Sequence, residues 1–453
     1  GGTTVPDQAP DTDAPETALA RFAIETDAAA LPSEMRALAR LSLLDWIAVS
    51  YCGLNEPVSR LVRQMLVEDG GTPEATVLGT GWRLPARAAA MANGTTSHAL
   101  DYDDTSFVYL GHPSAAVLPA ALALAERTHA CEETFIDAAL IGMETACRVG
   151  AWLGRSHYQH GFHQTATAGT FGATAAAARL LGLNVTQTEH AIGLASSRAS
   201  GLKSQFGSMG KPFHAGMAAA NGVEAARLAR AGFTSNPRGL SGAQGFALTH
   251  QAKPDDPADD LTVFGSDYAF ASVQHKFHAC CHGLHAPIEA MLKLQARHAL
   301  DAAQVRAISV ATHPRFLTVC NIASPSTGLE AKFSFRLAAA MALLGVDTGN
   351  LDVYTDELCQ RADLLAMRDK VSVRPDQRLS DSAAIITVEC TDGQTLTASH
   401  DLAAPLSFAQ RKERVLRKAG SLLGETMSTD LWLALDEADR PAGHWLDLLT
   451  PGN

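Results

Sequence analysis

From about residue 15 to about residue 265 apolar positions recur at helical spacing, and the chain reads as helix almost throughout. The segment PSEMRALARLSLLDWIAVSYCG shows the pattern best. Pro32-Ser33-Glu34 opens it, Leu38, Leu41, Leu44 and Ile47 form one stripe, and Gly53 closes it. ARAAAMANGTTSHAL, SAAVLPAALALAERTHA, ETFIDAALIGMETACRVGAWLG, TFGATAAAARLLGL, TEHAIGLASSRASG and GMAAANGVEAARLARAG predict further helices. Their apolar faces are built mainly of Ala, Gly, Ser and Thr, so the helices are expected to approach one another closely.

Near residue 265 the pattern changes. VRAISVATHP and AAIITVECTDGQTLTASH are rich in β-branched residues and partly alternate, and Asp392-Gly393 is a hairpin signal between two strand-like runs. SFRLAAAMALLG and TDELCQRADLLAMRDKV read as helices between them, and the tail SFAQRKERVLRKAGSLLGETMSTDLWLALDEA is helical again. The expected fold is therefore mostly α with an α+β second domain. A discontinuous helical domain, 1–268 with 402–453, carries an α+β lid at about 269–401.

Composition narrows the function classes. A net charge of −12 with no basic run argues against nucleic acid as a partner. No apolar run reaches the roughly 18 residues of a membrane span. The opening GGTTVPDQAPDTDAPE is polar and acidic, unlike a signal peptide. Eight cysteines without CxxC spacing fit reduced thiols in a cytoplasmic protein better than a disulfide framework.

Three polar clusters, and a fourth segment related to the third, interrupt this apolar background. In HALDYDDT, Asp101, Asp103 and Asp104 follow an apolar helix, and Gly111-His112-Pro113-Ser114 then starts another, placing His112 near its positive end. His157, His160 and His163 lead into a small-residue helix; they lack a carboxylate or thiol at ligand spacing, so a metal site is not expected, and His163 is the one expected to face a cleft. Lys211, between Gly210 and Pro212, is placed to bind a carboxylate. In KFHACCHGLH, Cys280 and Cys281 read as packed thiols at a helix start and Lys276 as the polar group of interest. GxGxxG after a strand, P-loop, GxSxG and HExxH motifs are missing, which leaves a chemistry of His, Lys, Asp and Thr, suited to proton transfer.

HALDYDDT…GHPSAAVLPAALALAE, GFHQTATAGTFGATAAAARLLGL, MGKPFHAGMAAANGVEAA and KFHACCHGLHAPIEA, in this order, resemble the MmgE/PrpD family over nearly the whole chain. The resemblance implies a helical domain with an α+β lid, a homodimer, no metal or organic cofactor, and a pocket formed by Asp101, Thr105, His112, His163, Lys211 and Lys276. It implies an enzyme acting on a small polycarboxylate. The first expectation is a dehydratase that abstracts a proton α to a carboxylate of a hydroxylated di- or tricarboxylate such as 2-methylcitrate. An epimerase of a substituted dicarboxylate comes next, then a decarboxylase of a cis-aconitate-like acid, then a binding protein without activity. Some decarboxylating relatives carry a pocket tyrosine where HPRFLTVCNIAS has only Phe316, which counts against decarboxylation. In the expected mechanism Lys211 and Lys276 hold carboxylates and stabilise the developing charge, His112 and His163 act as acid and base, Asp101 orients a histidine or a lysine, and Thr105 hydrogen-bonds a carboxylate or hydroxyl of the substrate.

Overall fold

The computed structural model describes residues 13–256 and 259–450. The polar opening segment, read above as unlike a signal peptide, lies largely outside them. The described residues fall into two compact units: those up to His275 together with Leu423 onward, and Lys276–Leu422.

The first unit is helical. At its centre, Gln164–Leu180 is buried on nearly every face and packs against Glu132–His160, Gly210–Arg230 and Pro113–Arg127. Small residues make this possible. A Cβ on Gly94 would lie 2.9 Å from the Gly216 Cα, bringing helix Ala86–His98 against Gly210–Arg230 at backbone distance. Gly142 and Gly172 do the same for Glu132–His160 and Gln164–Leu180: a Cβ on either would come within 2.8 Å of the other's carbonyl oxygen. Ser33–Gly53 forms over the residues the stripe predicts.

Two helices start earlier than their apolar runs, at Gln164 and Gly210, and these first turns carry polar residues of the site. Glu132–His160 runs past the expected stop at Gly154, which is a kink rather than an end: its φ is 73°, and a Cβ there would sit 2.0 Å from the Lys253 carbonyl oxygen. A short hairpin pairs Ala75–Thr76 with Arg83–Leu84.

The second unit is α+β. Its sheet runs in the order Val371–Pro375, Val305–Thr312, Ala383–Cys390, Thr395–Asp401. The last two strands form the hairpin expected around Asp392-Gly393, with Gly393 at φ 89°. Ala383–Cys390 alternates buried and half-buried positions, and helix His285–His298 lies against it. The helix read over TDELCQRADLLAMRDKV is shorter than expected: after a 3-10 turn at Leu358–Gln360 it spans only Ala362–Arg368, and from Val371 the chain forms strand Val371–Pro375, paired in parallel with Val305–Thr312. Helix Phe408–Leu423, read from the sequence with the helical tail, falls almost wholly in this unit. Its Arg414 bonds Glu289 at 2.5 Å and lies over the Phe277 ring. None of the eight cysteines is joined in a disulfide. No single helix among the described residues is long and apolar enough to cross a membrane.

Candidate active site

Three helix starts and one helix end supply the polar centre of the first unit. His112 is the N-cap of Pro113–Arg127, His163 the N-cap of Gln164–Leu180, and Lys211 lies in the first turn of Gly210–Arg230, while His98 is the last residue of Ala86–His98. Helix N-termini carry partial positive charge and unsatisfied N–H groups, so this convergence favours a bound anion.

The loop before His112 is fixed to the start of the central helix. Tyr109 donates its hydroxyl to the Thr165 carbonyl at 2.7 Å, Gln164 donates to the Tyr109 carbonyl at 3.0 Å, and the His112 N–H bonds the Thr165 hydroxyl at 3.1 Å. A side chain on Gly111 would strike the Thr165 backbone at 2.8 Å. Residues more than fifty positions apart are thereby held in register, which brings His112 and His163 to one place.

Around them the charges are paired. Asp101, at φ 52°, turns its carboxylate to Lys211 Nζ at 3.2 Å and to His112 Nε2 at 3.6 Å. Asp tolerates this left-handed conformation better than most residues. The Lys211 ammonium also lies 4.9 Å over the Phe206 ring. Burial opposes its charge, yet the adjacent Asp101 carboxylate prevails and holds the lysine above its ordinary value.

Asp103 is fully buried. His98 Nδ1 donates to its two oxygens at 2.9 and 3.1 Å, and His112 Nδ1 stands 3.0 Å from Oδ2, without the alignment of a hydrogen bond. Burial works against the Asp103 charge, but the two imidazoles outweigh it and keep the carboxyl far below the usual range. His163 is pushed well down, first by burial and then by His98 and Lys211. Its Nδ1 meets His214 Nδ1 at 2.9 Å, so one of these nitrogens donates and the other accepts. His214 is itself lowered by burial.

Of the six residues expected to form the pocket, Asp101, His112, His163 and Lys211 lie within this cluster. Thr105 sits in the same loop, its backbone paired with Gln274, its hydroxyl buried without a hydrogen-bond partner. Lys276 is the first residue of the second unit. The histidine series divides: His157 is buried and spends both nitrogens on the His250 carbonyl and Thr167, and burial brings it down to about 4, whereas His160 is exposed.

Sequence reasoning left three members of the cluster unassigned, namely His98, Asp103 and His214. All three sit inside motifs already singled out, but nothing in linear spacing pairs His214 with His163. By position, His98, Asp101, Asp103 and His112 could offer ligand atoms to one metal ion, lying within 4.8 Å of one another. A cation there would have to compete with the Lys211 ammonium for Asp101 and with two imidazoles for Asp103. The arrangement is better suited to moving protons beside a bound anion.

The family model described as the MmgE/PrpD N-terminal domain matches residues 17–257, and the MmgE/PrpD C-terminal domain matches residues 278–437. The chain is 32% identical over 297 residues to the cis-aconitate decarboxylase-like protein oryM of Aspergillus oryzae, a match spanning 61% of each chain and so less than two thirds of that relative. It is 27% identical over 442 residues to the cis-aconitate decarboxylase of Aspergillus terreus, 90% of each chain. With the cis-aconitate decarboxylase of Homo sapiens it shares 28% identity over 404 residues, 84% of this chain and 82% of that one.

Proposed function

The chain belongs to the MmgE/PrpD family, and from that premise we propose that it is a polycarboxylate lyase which moves a proton at a carbon next to a carboxylate. The observation that carries this reading is the setting of His112. One ring nitrogen stands beside the buried, ionised Asp103, and the other faces the Asp101–Lys211 ion pair. An imidazole backed by a fixed carboxylate and facing a cation is a competent proton carrier for an anionic substrate.

Cis-aconitate is the first substrate of choice, because relatives over most of the chain are named for its decarboxylation. The bond between a carboxylate and its methylene carbon breaks and carbon dioxide leaves. The electron pair spreads over the adjacent double bond to the carbon beside another carboxylate, which takes a proton from His112. Lys211 and the three helix N-termini hold carboxylates and stabilise the spread charge. We assign Thr105 and Lys276 to substrate binding on the family resemblance.

A second reading, dehydration of a hydroxylated tricarboxylate such as 2-methylcitrate, is favoured by the His163–His214 pair. Loss of water needs one group to take the carbon-bound proton and another to protonate the departing hydroxyl; the neutral His163–His214 pair supplies the first and His112, backed by Asp103, the second.

Both readings are tested by incubating the protein in heavy water with cis-aconitate, 2-methylcitrate and a panel of amino- and methyl-substituted dicarboxylates, followed by proton NMR. Carbon dioxide release with one deuterium beside a carboxylate establishes the decarboxylase. A new alkene from 2-methylcitrate establishes the dehydratase, and inversion without loss of a group makes the protein an epimerase. Folded protein that exchanges no proton in any of these acids overturns the lyase.

A further inference from the structure

Two imidazoles share the Asp103 carboxylate, but only one also faces the Asp101–Lys211 pair. His98 bonds Asp103 in line, whereas the His112 contact to the same carboxylate is out of line. The His98 side chain is entirely enclosed, and its Nε2 has no hydrogen-bond partner. Its ring is edge-on to His112 at 4.5 Å and stacked beside His163 at 5.8 Å. A buried nitrogen left unpaired is destabilising. A side chain chosen only to fill this space would avoid that cost.

We propose that His98 is a positioning residue of this site, its Nδ1–H holding the Asp103 carboxylate charged and oriented for His112. The inference deepens the lyase reading and rests on His112 being its proton carrier. A buried carboxylate keeps its charge only if donors surround it, and His98 is the donor with good geometry. His98 does not compete for the proton. Burial pushes its basicity down more than Asp103 restores it, and an imidazolium there would repel a protonated His112 and Lys211. The proton passing through the site is thus directed to His112, while His98 stays neutral and fixes the carboxylate.

His98→Asn and His98→Leu test this. The Asn amide can place a donor close to the position of the imidazole Nδ1–H, and Leu removes it. The readout that needs no substrate is the set of His112 ring nitrogen resonances, compared between variants by NMR at one fixed pH. The groups facing His112 are Asp101, Asp103, His98, His163 and Lys211, and its own N–H is held by Thr165. In H98L the carboxylate loses its in-line donor, so the His112 ring nitrogens move away from their wild-type resonance positions. The kcat falls roughly ten- to a hundredfold from misplacement with KM little changed. H98N restores the resonance positions and most of kcat. Should H98L fail to fold, H98F, which fills the space without a donor, takes its place. His112 ring resonances identical in all folded variants, or an H98N as impaired as H98L, overturn the proposal. A wild-type protein that turns over no polycarboxylate would remove the lyase reading, yet the NMR comparison would still decide the role of His98.

Discussion

Asp103 and Asp104 are adjacent in sequence and equally buried, yet their surroundings drive them in opposite directions. Asp103 faces His98 and His112 and is held ionised. Asp104 turns the other way, accepting the Ser114 hydroxyl at 2.5 Å and the Ser114 N–H at 3.1 Å at the start of helix Pro113–Arg127. Burial, reinforced by Asp45, pushes its carboxyl up to about 7. The first acid serves the site and the second caps a helix.

Their amide variants should separate accordingly. Asp103→Asn removes the charge that steadies a protonated His112 and lowers kcat by roughly two to four orders of magnitude, the range of a general acid–base contribution. Asp104→Asn keeps an acceptor for the Ser114 N–H and leaves kcat within a few-fold of wild type. Steady-state kinetics on the established substrate decide this, and equal losses in the two variants would refute the division of roles.

Asp104 also gives stability a pH dependence whose sign is fixed. Its folded value, about 7, lies above the ordinary 3.8, so between these values the folded chain binds more protons than the unfolded one. Stability from this group is therefore present at low pH and lost as pH rises through 7. Glu144, raised by burial to about 7, acts in the same direction. Asp104→Asn abolishes the first contribution. Its stability relative to wild type should improve by about 2–3 kcal/mol between pH 5 and pH 8. Denaturant unfolding at the two pH values measures this, and a pH-independent difference would contradict the buried acid.

The sequence made the helical framework legible because close helix packing needs small residues at repeated positions, as at Gly94, Gly142, Gly172 and Gly216. It made the Ala383–Asp401 hairpin legible because its turn residues and alternation are local. Strand Val371–Pro375 was hidden, since it is short, follows a helix closely and pairs with a strand more than sixty residues earlier. In the site, residue types and motif order marked Asp101, His112, His163 and Lys211. The separation of Asp103 from Asp104 was not readable, because it depends on which way each side chain leaves the loop. Nor was the His163–His214 contact, which two helix starts create across 51 positions.

His163 should remain neutral throughout the working range. Burial lowers it well below 6.5, and His98, Lys211, His214 and His112 all act in the same direction. Its ring signals should stay those of a neutral imidazole from pH 6.5 to pH 8, while His163→Ala should reduce turnover by roughly a hundredfold or more if it exchanges a proton with substrate. A titration midpoint inside that window would show that the site tolerates a charged His163 and would end its assignment as a neutral partner.

Lys211 should behave as a carboxylate holder with a fixed position rather than as a diffuse charge. Asp101 grips its ammonium at 3.2 Å and the Phe206 ring lies 4.9 Å away, so both the charge and its location are set before substrate arrives. Lys211→Met should raise KM by roughly tenfold or more, about 1.4 kcal/mol or above, by removing one charged contact. Lys211→Arg should recover little of this, because a planar guanidinium has a different reach and geometry from a compact ammonium. Asp101→Asn frees the ammonium but removes the group that orients it, so its effect should fall on kcat more than on KM. Kinetics of the three variants test the assignment together, and full activity in Lys211→Arg would reduce Lys211 to a source of general positive charge.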